Sequence, residues 1–339
     1  MDAALDAAVA VQPETAVTLP ASGGRVRVCV CVATCGRPQG LLALMAGLAG
    51  LRIPAGVAVE VAVVDNDPAG SPPGLAEEAR ARCGLPLVWL AEPRRGISFA
   101  RNAGLDHARR HADFIAFIDD DETPSPDWLA ALLRVALATG AAAVVGPVLP
   151  RFAVPAPAWA VDGGFYACLG GGLNGTEPGD GEPARLCISG NVLVRTPLVG
   201  GPDGFRFDEA LALTGGEDTL LFAQMRAAGH SIVYARLAIV PETVPESRLR
   251  LAWLLRRWYR TGNTDAFVRA KAGSGRARLA AEGVARMAAG AALAAAAALA
   301  APRRPGRALA RVYTAARGAG MIGFAFGRSV EEYRRIHGS

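Results

Sequence analysis

The chain has 339 residues, enough for one α/β domain with an appendage or for two modest domains. Hydrophobic residues make up 51% of it and the formal net charge is only +5, so a sizeable core is possible and neither a disordered nor a strongly polyanionic chain is indicated. Arginines concentrate after position 245 with no zinc-finger, RRM or other nucleic-acid signature, so nucleic acid is not an expected partner, whereas an anionic membrane surface or a phosphorylated substrate is compatible.

Residues 1–24 carry Asp2 and Asp6 where a signal peptide would be basic, and Pro13 and Glu14 interrupt any apolar core. A flexible tail is expected there. Cys29, Cys31, Cys35, Cys83, Cys168 and Cys187 include no C-x-x-C pair, and the four histidines are scattered. That argues for small buried residues in a reduced cytosol, and against a disulfide framework or a zinc site.

The first two-fifths of the chain alternate strand and helix. Strands are predicted at 26–34, 57–65, 86–90, 114–118 and 144–148, with helices at 40–51, 74–81 and 98–111 between them. A further helix at 128–138 takes Ser125 as N-cap, Pro126 at its first position and Gly140 as its stop. Such alternation predicts βαβ units and a mostly parallel sheet flanked by helices. Right-handed crossovers place the strand carboxyl ends on one edge, and ligands of open sheets bind outside that edge. The segments to interrogate are therefore 34–38, 65–67, 92–96 and 119–122.

Residues 150–185 are rich in proline and glycine and suit a long functional loop or lid. Beyond them a strand is predicted at 186–194, a helix at 217–228 ended by Gly229, and a strand at 232–235. A helix at 248–259 carries Trp253, Arg256, Arg257 and Trp258, with Arg260 just after it. The alanine- and arginine-rich remainder is expected to be helical to about Arg317, and no internal repeat is present.

The apolar run Phe114-Ile115-Ala116-Phe117-Ile118 leads straight into Asp119-Asp120-Asp121. In an extended chain Asp119 and Asp121 share a side and Asp120 opposes them. Clustered carboxylates at a sheet edge suit a hard divalent cation that also binds phosphate oxygens. A solvated acidic turn before Pro124 would have the same composition. No G-x-G-x-x-G follows the first strand and there is no P-loop, which disfavours dinucleotide-binding and P-loop enzymes. Glu217 and Asp218 open a helix after Gly215-Gly216. Acids there favour the helix dipole, and Thr214 with Glu217 fits a capping box.

Six stretches, in order over residues 26–260, resemble the family 2 glycosyltransferases of GT-A fold, most of all the bacterial succinoglycan-biosynthesis type. They are Val32-Ala33-Thr34-Cys35-Gly36-Arg37-Pro38, Val63-Val64-Asp65-Asn66-Asp67, Arg95-Gly96-Ile97-Ser98-Phe99-Ala100-Arg101-Asn102-Ala103-Gly104, Phe117-Ile118-Asp119-Asp120-Asp121-Glu122, Ser189-Gly190-Asn191-Val192 and Thr214-Gly215-Gly216-Glu217-Asp218-Thr219. The resemblance implies an inverting transfer of sugar from a nucleotide-sugar, of UDP type, to a saccharide or lipid-linked acceptor in polysaccharide or glycoconjugate biosynthesis, with Mn2+ or Mg2+. It implies that Thr34, Arg37 and Asp65 line the nucleotide pocket, with Asp65 at the base edge. Arg95 and Arg101 would sit by the nucleotide or its phosphates, Asp119 would meet ribose or metal, and Asp121 would be the main metal ligand. Asp218 would be the general base and Glu217 the helix cap. Gly190, Asn191, Arg257 and Trp258 would stand on the acceptor side or support it. Cys35 replaces a frequent tyrosine, and Leu254 stands where processive relatives carry glutamine before the Arg257-Trp258 pair, so a single addition per encounter is expected.

These readings divide the chain into the tail, a GT-A catalytic domain at 25–247 and a helical region at 248–339. Within the last, the uncharged run 287–301 is shorter than the roughly 20 residues of a spanning helix and is bracketed by Arg286 and Arg303-Arg304. With the apolar patch 318–327 it suits either an interfacial helix pair at an anionic surface or a soluble hairpin packed on the catalytic domain. The expected location is cytoplasmic, at the inner face of the plasma membrane. A nucleotidyltransferase would want a glycine- and lysine-rich phosphate loop near the first strand, which 34–38 is not. A non-catalytic sugar-nucleotide-binding protein would not need intact Asp119, Asp121 and Asp218.

Overall fold

The computed structural model describes residues 25–171, 176–300 and 305–333; the expected tail at 1–24 lies outside them. Strands β1 (Val26–Thr34), β2 (Val57–Asp65), β3 (Leu87–Ala91) and β4 (Phe114–Ile118) alternate with helices α1 (Pro38–Ala49), α2 (Leu75–Cys83) and α3 (Ile97–Ala108). Next come α4 (Trp128–Thr139), β5 (Ala143–Val145), β6 (Val148–Phe152), α5 (Ala158–Gly163), β7 (Asn191–Arg195), α6 (Glu217–Ala227), β8 (Ile232–Tyr234) and β9 (Val240–Val244). Helices α7 (Leu251–Lys271), α8 (Arg276–Ala300) and α9 (Pro305–Ala325) follow.

The main sheet has the order β3-β2-β1-β4-β7-β5-β8 and is parallel except for β7, which runs antiparallel to both neighbours. Valine-rich β1 and β2 are paired along their whole length, from Val26 opposite Val57 to Thr34 opposite Asp65. One face of the sheet packs on α1, α2 and α4 through residues such as Leu41, Leu44, Met45, Ala79 and Leu132. The other packs on α3 and α6 through Ala100, Leu105, Leu221, Phe222 and Met225. Covering both faces explains why these strands read as continuous apolar runs.

Several local expectations are corrected. Ser125 is not the N-cap of α4: that position is Asp127, with no side-chain capping bond, while Gly140 ends the helix in the left-handed region as expected. The single strand expected at 144–148 is split into β5 and β6 at Gly146-Pro147, where a side chain on Gly146 would come within 2.4 Å of the Ala238 carbonyl oxygen. β6 leaves the main sheet and pairs in parallel with β9, which the sequence reading did not identify. The strand expected from 186 begins only at Asn191, and the helix expected over 248–259 runs on to Lys271.

The helical region is closely packed because it is rich in glycine and alanine. A Cβ on Gly262 of α7 would lie 2.1 Å from the Arg317 carbonyl oxygen of α9, and one on Gly290 of α8 would lie 2.4 Å from the Ala315 nitrogen. A third buried cluster spans position 247, joining Phe165, Tyr166 and Val244 to Leu254 and Trp258. Trp258 meets Phe165 and Tyr313 edge-on at 5.2 and 5.4 Å.

Candidate active site

Neighbouring strands β2, β1 and β4 end together on one edge of the sheet. After Ile118 the chain does not stay extended. It turns, and the Glu122 N–H donates to the Asp119 carbonyl at 3.1 Å. The expected alternation is therefore lost, and Asp119, Asp120 and Asp121 all line one cleft of about 230 Å³. Arg101 Nη2 donates to Asp119 Oδ1 at 2.8 Å. Arg37 Nη1 donates to Asp120 Oδ1 at 2.9 Å and to Asp121 Oδ2 at 3.3 Å. Thr34 Oγ1 donates to Asp120 Oδ2 at 2.9 Å, and Arg248 Nη2 to Asp121 Oδ2 at 3.2 Å. Asp120, the residue expected to point away, is the most deeply held of the three. Burial pushes its carboxyl up to about 6 despite Arg37. Burial likewise holds Glu122 well above the usual carboxylate range, and its Oε2 accepts from the Asp119 N–H at 2.8 Å.

The cleft is also lined by Arg95, Arg257, Arg260, Glu242, Glu332, Trp253 and Tyr333. With Arg37, Arg101 and Arg248, its guanidinium groups outnumber its carboxylates by one, so an anion such as a diphosphate would meet no net repulsion. Arg257 is held over the Trp253 ring at 5.4 Å, a face that favours a guanidinium. Asn66 secures the loop after β3: its Nδ2 donates to the carbonyls of Glu92 and Arg94, and its Oδ1 accepts from the Gly96 N–H, all at 2.8 Å. Gly96 has φ +142 and leaves no room for a Cβ, which would lie 2.6 Å from that of Ala212.

Of the predicted residues, Thr34, Arg37, Arg95, Arg101, Asp119, Asp121 and Arg257 line this cleft. Asp65 does not; its oxygens accept the backbone N–H groups of Asp67 and Ser71 at 3.1 and 2.9 Å and shape the loop after β2. Asn191 is fully buried. It accepts from Trp128 Nε1 at 2.8 Å and donates to the carbonyls of Pro147 and Ala238, a supporting position. Trp258 is likewise core rather than cleft. Gly190 backs the acidic turn, where a Cβ would lie 2.6 Å from Glu122 Oε1 and 3.2 Å from Asp119 Oδ2.

Glu217 is not a cap. The N-cap of α6 is Gly216, at φ +90, with no side-chain capping bond. The Glu217 carboxylate is instead buried against Arg101 Nη1, and among the described residues its Oε2 has no hydrogen-bond partner. Burial pushes this carboxyl up to about 7. Arg101, flanked by Asp119 and Glu217, keeps its charge, so the protonation change of the pair falls on the glutamate. Asp218 is half-buried one residue further on, outside the lining of the cleft, and its Oδ1 accepts from the Thr219 N–H at 2.6 Å.

Several cleft residues were missed from sequence, and four of them lie far from the recognised motifs. Arg248 and Glu242 pair at 2.7 Å across the end of β9, and Glu332 and Tyr333 come from the far end of the described chain.

A mostly parallel sheet of this order, with an acidic turn after the fourth strand facing arginines and a second acidic pair at a helix start, defines a GT-A glycosyltransferase. Residues 29–178 match the family described as Glycosyl transferase family 2. The succinoglycan biosynthesis protein ExoM of Rhizobium meliloti (strain 1021) is 39% identical over 233 residues, which cover 69% of this chain and 72% of that protein. Among solved structures, the mannosyltransferase PcManGT from Pyrobaculum calidifontis, in complex with GDP-Man and Mn2+, superposes with a TM-score of 0.57 at 20% identity, covering 90% of this chain and 88% of that one. Residues 1–349 of S. aureus TarS, in complex with UDP, give 0.50 at 19% identity over 72% of this chain and 65% of that one, just under two thirds of its length. The chain belongs to glycosyl transferase family 2 and is a glycosyltransferase.

Proposed function

We propose that the enzyme is an inverting, non-processive transferase that moves a sugar from a nucleoside diphosphate sugar, of UDP type, to a saccharide or lipid-linked acceptor in polysaccharide assembly. The observation that carries this reading is the acidic turn Asp119–Asp121 set among arginines at the carboxyl edge of β1 and β4. The oxygen-rich donor set fits a divalent cation: Asp119 and Asp121 reach one cleft from one turn, and hard oxygen ligands suit Mg2+ or Mn2+. When bound, the cation would offset the charge of the leaving diphosphate.

Thr34 and Arg37 would flank the nucleotide, and Arg95 and Arg248 would meet its phosphates. Asp65 would read the base edge once donor binding reorders the loop it now holds. Asp218 would take the acceptor hydroxyl proton as that oxygen bonds to the anomeric carbon; the bond from that carbon to the diphosphate breaks, and its electron pair leaves on the diphosphate. Succinoglycan biosynthesis, named for ExoM, and GDP-Man, UDP and Mn2+, named for the solved structures, support the class of reaction.

The helical region would bring the enzyme to the inner membrane surface. α8 is 25 residues long, longer than the run expected from sequence. It is long and apolar enough to cross a membrane by length and composition, with 11% of its most apolar window buried. Val284, Met287, Leu293 and Leu299 are exposed along it. A transfer assay across a panel of nucleotide sugars, with and without Mn2+ and with the product's anomeric configuration determined, tests the catalytic reading. Retention of the donor's configuration, or equal turnover in EDTA, would overturn its mechanism.

A further inference from the structure

A second convergence of metal-binding side chains lies on the face of the sheet covered by α3, away from the cleft. Glu60 of β2 stands opposite Cys29 of β1 in the strand register. Over them, His107 in the last turn of α3 and His111 in the turn that follows direct both Nε2 atoms at one oxygen, Glu60 Oε1, at 2.7 and 2.9 Å. The two rings meet edge-on with centroids 4.8 Å apart. The Cys29 Sγ, a Glu60 carboxylate oxygen and a His107 ring nitrogen all lie within 4.8 Å of one another.

The composition of the cluster is unusual for this chain. The protein has 36 lysines and arginines and only four histidines, yet two of the four meet on one carboxylate. Among the described residues no arginine or lysine pairs with Glu60.

We propose that Glu60, His107, His111 and Cys29 form a structural zinc(II) site. Two imidazoles, a carboxylate and a thiolate make a four-ligand set of the kind that zinc binds tetrahedrally. Imidazole and thiolate donors select zinc over the magnesium or manganese expected at an all-oxygen cleft. The set carries two negative charges, so the bound ion is neutralised, which suits a partly buried position. Ligand atoms around zinc, at bond lengths of about 2.1 Å, lie roughly 3.4 Å apart. The present nitrogen-to-oxygen distances are those of hydrogen bonds and need to open by about half an ångström, and His111, which stands outside the group of three mutually within 4.8 Å, turns inward toward Cys29 on binding. His111 is 38% exposed and Glu60 28%, so the ion has an entry path, while the fully buried Cys29 closes the site from beneath. On binding, the Cys29 thiol releases its proton to solvent. Each imidazole coordinates through Nε2 as the neutral tautomer, keeping its proton on Nδ1, and no electron is transferred.

The ion would staple β1, β2 and the end of α3. It would not serve the donor cleft, because Cys29 precedes the cleft residue Thr34 by about 16 Å of strand. The absence of a C-x-x-C pair had argued against zinc; the fold assembles the ligands from three elements instead.

The test uses the full chain expressed with zinc and dialysed, with metal content measured by elemental analysis. One zinc per chain is expected in the wild type and in Asp121→Asn, and little in the His107→Asn/His111→Asn double variant or in Glu60→Gln. Added zinc should raise the melting temperature of the metal-free wild type but not of these variants, whose far-ultraviolet circular dichroism reports folding. The cobalt(II)-substituted protein should show a near-ultraviolet thiolate-to-cobalt band that Cys29→Ser abolishes. Wild-type protein that takes up no zinc, or folded variants that retain it equally, would overturn the site; a cobalt complex without the thiolate band would remove Cys29 from it.

Discussion

Arg95 Nε donates to the backbone carbonyl of Tyr333 at 3.1 Å, across a sequence separation of 238 residues. Tyr333 in turn donates its N–H to the Leu213 carbonyl at 2.9 Å, and a Cβ on Gly215 would lie 3.2 Å from its ring. The chain beyond α9 thus braces the turn 214–216, which sets the start of α6 and with it Asp218. A chain ending at Gly327 should keep its fold but lose this brace. We expect kcat to fall by roughly 10- to 10²-fold, as for a displaced catalytic group, beyond the change in donor dissociation constant that follows from removing Glu332 and Tyr333 from the cleft. Steady-state kinetics beside a donor titration will separate the two. A loss confined to donor affinity would place the segment's role at the nucleotide instead.

Asp218→Asn should leave donor affinity nearly unchanged and cut transfer by about 10²-fold or more, since the amide is isosteric but cannot take a proton. Asp218 lies outside the donor cleft, and its Oδ1 accepts from the N–H and the hydroxyl of the adjacent Thr219, which an amide oxygen can still do, so the substitution disturbs little else. Single-turnover rates checked against binding isotherms will decide. If Glu217→Gln abolishes turnover and Asp218→Asn spares it, the roles are reversed.

Glu217 also predicts a pH dependence of stability. Its carboxyl is raised from 4.5 to about 7 by burial, the reverse of the usual paired carboxylate. Between those values the folded state binds more protons than the unfolded one, so stability falls as pH rises through that window. Asp120, pushed up to about 6, acts with the same sign. Glu217→Gln should flatten part of this slope. Urea midpoints taken on both sides of the window will show it, and identical slopes in the two proteins would contradict the assignment.

How far the sequence was legible follows from range. β1, β2 and β4 were readable because strands buried on both faces are apolar throughout. β6 and β9 were not, because Pro150 and Pro241 interrupt them. The carboxylate cluster was visible, but the assumption of an extended chain gave Asp120 the wrong direction, since the turn at Asp119–Glu122 is closed by a local backbone bond. Glu217 looked like a cap because its partner, Arg101, lies 116 residues away. Tyr333 carries no local signal; only the packing of α9 on α7 returns it to the cleft.

The acidic turn gives a direct test of metal dependence. Asp121→Asn should abolish the part of donor binding that depends on a divalent cation, and EDTA should do the same to the wild type. Asp121 also accepts from Arg37 and Arg248, so its neutralisation removes one negative charge from beside two guanidiniums, which stay paired with Asp120 and Glu242. Metal-independent binding of the free nucleoside diphosphate should therefore survive or strengthen. Isothermal titrations with and without Mn2+ will distinguish these contributions, and an Asp121→Asn protein with unchanged manganese dependence would remove Asp121 from the ligand set.

The membrane reading needs point substitutions rather than truncation. Removing everything after residue 276 would also remove α9, which packs on α7, and Tyr333, which lines the cleft. Leu293 and Leu299 on α8 are 50% and 85% exposed, so changing them leaves the core alone. Burying such side chains in a bilayer is worth about 1.5–3 kcal/mol each. Replacing both by glutamate forfeits that and adds repulsion from an anionic surface. The double variant should therefore lose most of its binding to phosphatidylglycerol-containing vesicles while retaining transfer to a soluble acceptor. Flotation on a density gradient measures the first and a transfer assay the second. Alkaline carbonate adds a further discrimination: release of the wild type from membranes fits a helix lying at the interface, and resistance to it fits a spanning α8. Equal flotation of wild type and variant would mean that the exposed face of α8 does not meet lipid.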